Sequence, residues 1–377
     1  MKPHAIIAAI LLTTASAHAE VCYPGGNAEL RACLANEPDL VKQLAPGTWL
    51  IDPAGDQVLV NARSGLKIVA LDPDDPPKIE CTLGSDERPV DVPSNRGFTL
   101  KADAAVVQDV EVENLNFRNC ASGIVTFQAG GGRFENLSVH DLQVRNAYFG
   151  INLTGIKSAR VFGNHVVDSD VGIQVSAPRP LTGNVEITDN FIVGNPDQVL
   201  KNVNLGIAVN NLNGVISDNS IRHFTRFFIR MASAITTGGG DSGGAFELDI
   251  LDNEIRDVES GITTGGPVMP GTWVPSSTAL GRIAGNDIRR YDRYAITAFH
   301  GAHGWTIGPN QFKDGPRNPF PAPDLAWNGD ILLMVVGGSH PVLSPTLFGA
   351  GATDITVHLE PNQTVANPVP HPSNVID

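Results

Sequence analysis

The sequence predicts an all-β fold, a right-handed parallel β-helix of roughly ten coils with a short N-terminal capping helix, on the strength of three observations. First, an Asn-x-apolar element recurs at Asn114 ("NLNF"), Asn164 ("NHVV"), Asn190 ("NFIV"), Asn219 ("NSIR"), Asn253 ("NEIR"), Asn286 ("NDIR") and Asn310 ("NQF"), with "DLQV" at Asp141 in the same slot. Second, a small residue followed by Ile comes after most copies, at Gly123, Gly150, Gly172, Gly206, Ala234, Gly261 and Ala295, at successive spacings of 27, 22, 34, 28, 27 and 34 residues. Third, each element is a short run of β-branched or aromatic residues with period-two alternation, bounded by Gly, Asn and Asp, which is the pattern of a strand and not of a helix. Helical repeats are thereby excluded.

The elements follow in order along the chain. Residues 1–19 ("MKPHAIIAAILLTTASAHA") combine Lys2, an apolar run and an Ala17-His18-Ala19 small-x-small site, the pattern of a secretory signal peptide cleaved near Ala19. The run is shorter than the ~18 apolar residues that span a bilayer. No membrane partner is expected, and the mature chain is placed in the periplasm or outside the cell. Residues 20–45 hold the helix-like "NAELRACLAN" and form the N-terminal cap. Such a cap blocks an open strand edge. Coils fill residues 46–315, and residues 316–377 add the apolar run "DILLMVV", Pro-rich connections and an extended tail.

Four cysteines, Cys22, Cys33, Cys81 and Cys120, suit an oxidising compartment, and their spacing fits no zinc or redox motif. Three pairings are open. Cys22 with Cys33, which would staple the cap, and Cys81 with Cys120 are the favoured set. With 40 acidic and 26 basic residues the net charge is −14, and there is no basic arm. That balance argues against nucleic acid as a partner.

If each period is one coil, apolar side chains stack inward and neighbouring coils lie about 4.8 Å apart. The recurrent Asn then sits at a turn, where its amide would ladder between coils and tolerate left-handed backbone. At this point the chain resembles the pectate-lyase-like superfamily of parallel β-helix proteins. The resemblance rests on the coils from Asn114 to Phe312 and on the entry segment from "APGTWLID" to "SGLKIVALDPDDPPKI". It implies a saccharide partner and a monomer or homotrimer. It leaves the activity open, because the superfamily holds lyases, hydrolases, epimerases, tailspikes and adhesins.

Chemistry is expected where the period stretches, since loops on a rigid frame collect binding groups. Residues 195–204 and 222–232 precede the small-Ile strand, and 237–246 and 264–281 follow it, making two banks of a groove. One bank offers Lys201, Arg222, His223, Arg226 and Arg230; the other offers Asp241, Trp273 and, one coil on, His300 and His303. Aligning "SAITTGGG" with "SGITTGGP" puts Asn152, Gln174, Thr236, Thr263 and Thr297 on the floor, with Tyr148, Asp170, Asn204, Glu259 and Arg293 at its entering edge. Aligning "FFIRM" instead would put Arg230 on the floor.

A polysaccharide lyase acting on uronates needs a base, a proton donor and cations for the carboxylate. Arg230, Arg226 and Lys201, with Tyr148 or His300 as donor, supply those types; Asn152, Gln174, Asn204, Trp273 and Arg293 would hold the sugar. No lyase signature such as RxPxxR is present, and the basic groups would otherwise pair with nearby acids as a solvated lattice. A hydrolase needs two carboxyl groups within about 9.5 Å, which Asp170 and Glu259, three coils apart, do not offer; Asp241 is the remaining acid. A binding protein would rely on aromatics such as Trp273 or Trp305. Asp170, Asp241 and Glu259 are the candidate ligands for Ca²⁺, while His300 and His303 lack a third ligand in spacing for zinc.

Overall fold

The computed structural model describes residues 19–35, 39–103, 105–178, 183–195, 204–225, 232–238, 246–264, 279–298, 305–308, 310–315, 317, 329–335 and 355–359. The signal-peptide expectation for residues 1–18, and the roles expected of Lys201, Arg226, Arg230, Asp241, Trp273, His300 and His303, lie outside the described residues.

Every pairing between named strands is parallel, and successive coils supply successive strands. An 11-stranded sheet, from Ala19–Cys22 to Trp305–Ile307, forms the first face. The 17-stranded sheet forms two more, because its long strands turn a corner. Gln143–Thr154 carries left-handed Asn146, His165–Ser176 carries Asp168, Glu254–Thr264 carries Asp257, and Asp287–Ala298 carries Arg290. Where the corner lengthens the strand splits, into Phe191–Gly194 and Asn204–Asn210, then Ser220–Arg222 and Ala232–Gly238. The segments before the corner make the second face, and the small-Ile segments after it make the third. The third face continues through Gly329–Val335 and Ile355–Leu359.

One continuous apolar column fills the interior, from Leu30 and Leu34 of the capping helix Asn27–Ala35 to Ile296 and Ile307. Disulfides join Cys22 to Cys33 and Cys81 to Cys120. The favoured pairing is the one adopted.

The asparagine ladder holds six members, Asn164, Asn190, Asn219, Asn253, Asn286 and Asn310. Each Nδ2 donates to the Oδ1 of the next, at 2.9 to 3.0 Å, and each backbone N–H donates to the same oxygen, at 3.0 to 3.1 Å. Asn114 and Asp141 do not belong to it. They occupy the preceding position, with φ of 54° each, in the slot filled by Gly163, Asp189, Asp218 and Asp252 in later coils. In those first coils the ladder slot holds buried Leu115 and Leu142, and the Leu142 N–H caps the end by donating to Asn164 Oδ1 at 3.1 Å. Left-handed backbone and amide stacking, expected of one residue, are divided between two neighbours.

The small residues before Ile are set by crowding. A Cβ at Gly206 would lie 2.6 Å from Ile221 Cγ2 and against the Ala234 carbonyl of the next coil. Gly206→Val is expected to destabilise the fold by about 3 kcal/mol or more through overpacking. Asn219→Ala removes the acceptor of two buried Asn190 donors, and an unsatisfied buried donor costs about 1 to 3 kcal/mol. Urea denaturation should show a loss of about 3 kcal/mol for Asn219→Ala and about 1 kcal/mol for Asn114→Ala, from the left-handed backbone; a similar loss for both would contradict the assignment of the ladder slot.

Candidate functional site

The third face presents two outward columns. Asn152, Gln174, Ala208, Thr236, Thr263 and Thr297 are register partners on successive strands and form the floor. Ile235 pairs with Ile262 and Thr236 with Thr263, so the alternative register that would seat Arg230 on the floor is not adopted. Along the strand, Phe149, Val171, Leu205, Ser233, Ser260 and Tyr294 form the second column. The residues just before these are Tyr148, Asp170, Asn204, Ala232, Glu259 and Arg293, so the expected entering edge is assembled in one row.

The face changes character along its length. Phe149, Val171, Leu205 and Ala208 pack together as an apolar patch outside the main core. From Ser233 onward hydroxyls replace it: Ser233 Oγ lies 3.1 Å from Thr263 Oγ1. At this end Arg293 Nη1 donates to Glu259 Oε1 at 3.3 Å, with the Glu259 side chain 5% exposed. Asn204 donates to the Thr225 carbonyl at 2.9 Å, tying the strand to the connection of the next coil, which follows Ser220–Arg222. Asn204 Oδ1, Asn152 Oδ1 and Thr236 Oγ1 are buried and have no hydrogen-bond partner among the described residues.

The residues bracketing Tyr148 were missed in the sequence. The connection from Lys78–Cys81 to Arg96–Asp103 folds back as a hairpin, with an antiparallel bridge between Leu83 and Pro89 and left-handed Glu87. Fully buried Asn95 fixes its base: its Nδ2 donates to the Thr82 and Val90 carbonyls at 3.0 and 2.9 Å, and its Oδ1 accepts from the Thr82 N–H at 3.0 Å. The Tyr148 phenol is pushed above its ordinary range, first by burial and then by Asp91, Asp86 and Asp170, with Arg88 opposing. Burial pulls the Arg96 guanidinium down and Asp91 counters it. The signal in the sequence was the stretch "TLGSDERPVDVPSN", a charged insertion between two strands.

Asp170 and Glu259 do not ligate a common ion. Their strands are separated by two others, so the spacing is about 14 Å. Among the described residues one acid–histidine group brings donor atoms within 4.8 Å of one another: Glu111, Glu113 and His140 on the first face. Lys67 already holds Glu111 at 2.5 Å, and His140 bonds Asp141 Oδ2 at 2.8 Å and Glu111 Oε1 at 3.3 Å. Ca²⁺ takes six to eight oxygen ligands; two carboxylates shared with an imidazole and an ammonium do not match that set.

No protein-family model matches the sequence, and no curated protein is similar to it at the sequence level. Solved structures are similar in fold. An alginate lyase from Paenibacillus sp. str. FPU-7 superposes with a TM-score of 0.53 at 13% identity, covering 79% of this chain and 99% of that one. A DFA-IIIase from Arthrobacter chlorophenolicus A6, without its lid, gives 0.51 at 13% identity over 88% and 84% of the two chains. The Dettilon tailspike protein gives 0.50 at 14% identity over 88% of this chain and 58% of its own length. Together with the all-parallel sheets and the stacked coils, these likenesses identify the chain as a right-handed parallel β-helix with the pectate-lyase-like fold.

Proposed function

We propose that the chain is an exported carbohydrate-active enzyme that binds an acidic polysaccharide along the third face and cleaves it by β-elimination. The observation that carries the reading is Tyr148, a phenol kept neutral at the end of a row of polar side chains spaced one coil apart. A coil spacing of about 4.8 Å is close to the length of one pyranose unit, so successive sugars can meet successive coils. Asn152 Oδ1, Asn204 Oδ1 and Thr236 Oγ1, which have no donor among the described residues, suit sugar hydroxyls.

In β-elimination a base removes the proton α to the uronate carboxyl group, the enolate expels the neighbouring glycosidic oxygen, and an acid protonates that oxygen. Tyr148 fits the acid, because a phenol carries its proton at neutral pH and the departing alkoxide is the stronger base. Arg88 and Arg96 are the described cations at this end and would face the carboxylate. Lys201, Arg226 and Arg230 complete the proposal as base and carboxylate clamp, His300 as a second donor, and Trp273 as a stacking surface. Hydrolysis is the weaker reading: a spacing of about 14 Å separates Asp170 from Glu259, beyond the carboxyl pair of either stereochemical class. The two disulfides suit the periplasm or the exterior. Among the described residues, no helix is long and apolar enough to cross a membrane.

The test is the ultraviolet absorbance of the unsaturated uronate, followed on alginate, pectate and glycosaminoglycans. Tyr148→Phe should lower kcat by about 10²-fold or more with KM little changed. Reducing ends without absorbance would mean hydrolysis, and binding without either product would mean a non-catalytic saccharide scaffold. The pH profile separates acid from base. An acidic Tyr148 loses its proton only above the ordinary phenol value of about 10, so the rate should hold through pH 7 to 9 and fall above that range. A rate that climbs with pH to that range would make the phenolate a base and overturn the assignment.

A further inference from the structure

The second face carries a feature that the groove does not use. Six cations, Arg118, Arg145, Arg222, Arg256, Arg289 and Lys313, stand in one register column, interrupted only by Val167 and Val193. The column crosses eight neighbouring strands, a length of about 34 Å. Glu80 closes its N-terminal end, and Glu254 and Asp287 stand in the adjacent column. Arg222 reaches Glu254 at 3.5 Å, Arg256 also engages it, and Arg289 Nε donates to Asp287 at 2.7 Å. Among the described residues Arg118 and Arg145 are exposed and make no ion pair, Lys313 donates to Gln311 Oε1 at 3.0 Å, and the Nε atoms of Arg222 and Arg256 are buried without an acceptor.

The interruption is aromatic. Where the valines stand, the adjacent column holds His165 and Phe191, edge to face at 4.7 Å, and the Arg222 guanidinium lies 5.3 Å above the Phe191 ring. Burial, then Arg145, holds His165 below its ordinary pKa, so the ring adds no negative or strong positive charge at neutral pH. A ring platform between two cation clusters, with one step per coil, matches a linear chain bearing one carboxylate per sugar. A cation strip on a chain of net charge −14 is also selective. The strip attracts an anion locally, while the rest of the surface repels a densely charged polymer such as nucleic acid.

We infer that this strip is a second glycan-binding face, which holds an anionic polysaccharide outside the groove. The inference stands on the second face; only the choice of a uronate polymer rests on the proposed function. The test is direct binding of size-fractionated oligogalacturonate to the full chain by titration calorimetry, with dextran and oligodeoxythymidylate as controls. The variants are Arg118→Ser with Arg145→Ser, and separately Lys313→Ser, all at exposed positions, with melting curves to verify the fold. Binding should weaken about tenfold per arginine removed, and raising salt should weaken the wild type more than the double variant. Turnover of a trimer too short to leave the groove should be unchanged, so loss of groove activity and loss of strip binding are read separately. Equal binding by wild type and double variant would overturn the inference. Oligodeoxythymidylate binding as tight as that of the uronate would overturn the glycan assignment.

Discussion

A side-chain amide buried in an apolar interior must satisfy two donors and an acceptor, or it costs more than it contributes. In this β-helix that requirement fixes the geometry of a whole corner. Asn190 Oδ1 accepts from the backbone N–H and the Nδ2 of Asn164, while its own Nδ2 donates to Asn219 Oδ1 and to the Val161 and Thr188 carbonyls. Each member therefore binds the coil before it and the coil after it. A coil one residue longer or shorter at this corner would strand two donors. The corner is consequently invariant, and the length variation between copies of the repeat is displaced to the connections on either side of the third face.

That displacement explains why the site lies where it does. The first and second faces meet at the ladder and have no freedom to insert. The third face is bounded by the other two turns, so its strands can be entered and left by long segments without disturbing the stack. Corner residues in the left-handed conformation, such as Asp168 and Asp257, swing the chain between faces within a few positions. A few residues along a single strand then separate cation from site: Arg145 stands on the second face and Tyr148 on the third, and Arg256 and Glu259 repeat the arrangement further on. Asp257 is held charged at this corner chiefly by its hydrogen bond from Arg290, with Arg317 assisting.

The repeat, the parallel stacking and the outward row from Asn152 to Thr297 were legible in the sequence, because period and alternation are local properties. The ladder slot of the first coils was not. "NLNF" and "DLQV" match the motif when written out, but the match places Asn114 and Asp141 where the backbone is left-handed and sets Leu115 and Leu142 in the ladder slot. Asn and Asp serve both purposes, so a one-residue offset cannot be seen without the partner coil. The hairpin around Tyr148 has no signature in the sequence for a related reason: the Asn95 hydrogen bonds to Thr82 and Val90 that fold it back, and the influence of Asp91, Asp86 and Arg88 on Tyr148, appear only once distant segments meet.

Of the arginines of "NSIR", "NEIR" and "NDIR", the sequence places only Arg222, on one bank of the groove, since one Arg per repeat is ordinary for a solvated strand edge; the structure sets Arg222 on the second face instead. Register converts them. Once Arg222 pairs with Arg256 and Arg256 with Arg289, like charges lie one strand spacing apart, an arrangement that destabilises neighbouring strands unless something offsets it. Glu254 and Asp287 offset it for the three paired residues. Arg118 and Arg145, register partners in their own right, have one carboxylate beside them in the column, Glu80, which stands next to Arg118 and also accepts from Asn119. A repulsion that the fold offsets with shared carboxylates at one end, and with a single carboxylate next to Arg118 at the other, is a standing free energy that an anionic chain would relieve along the whole column.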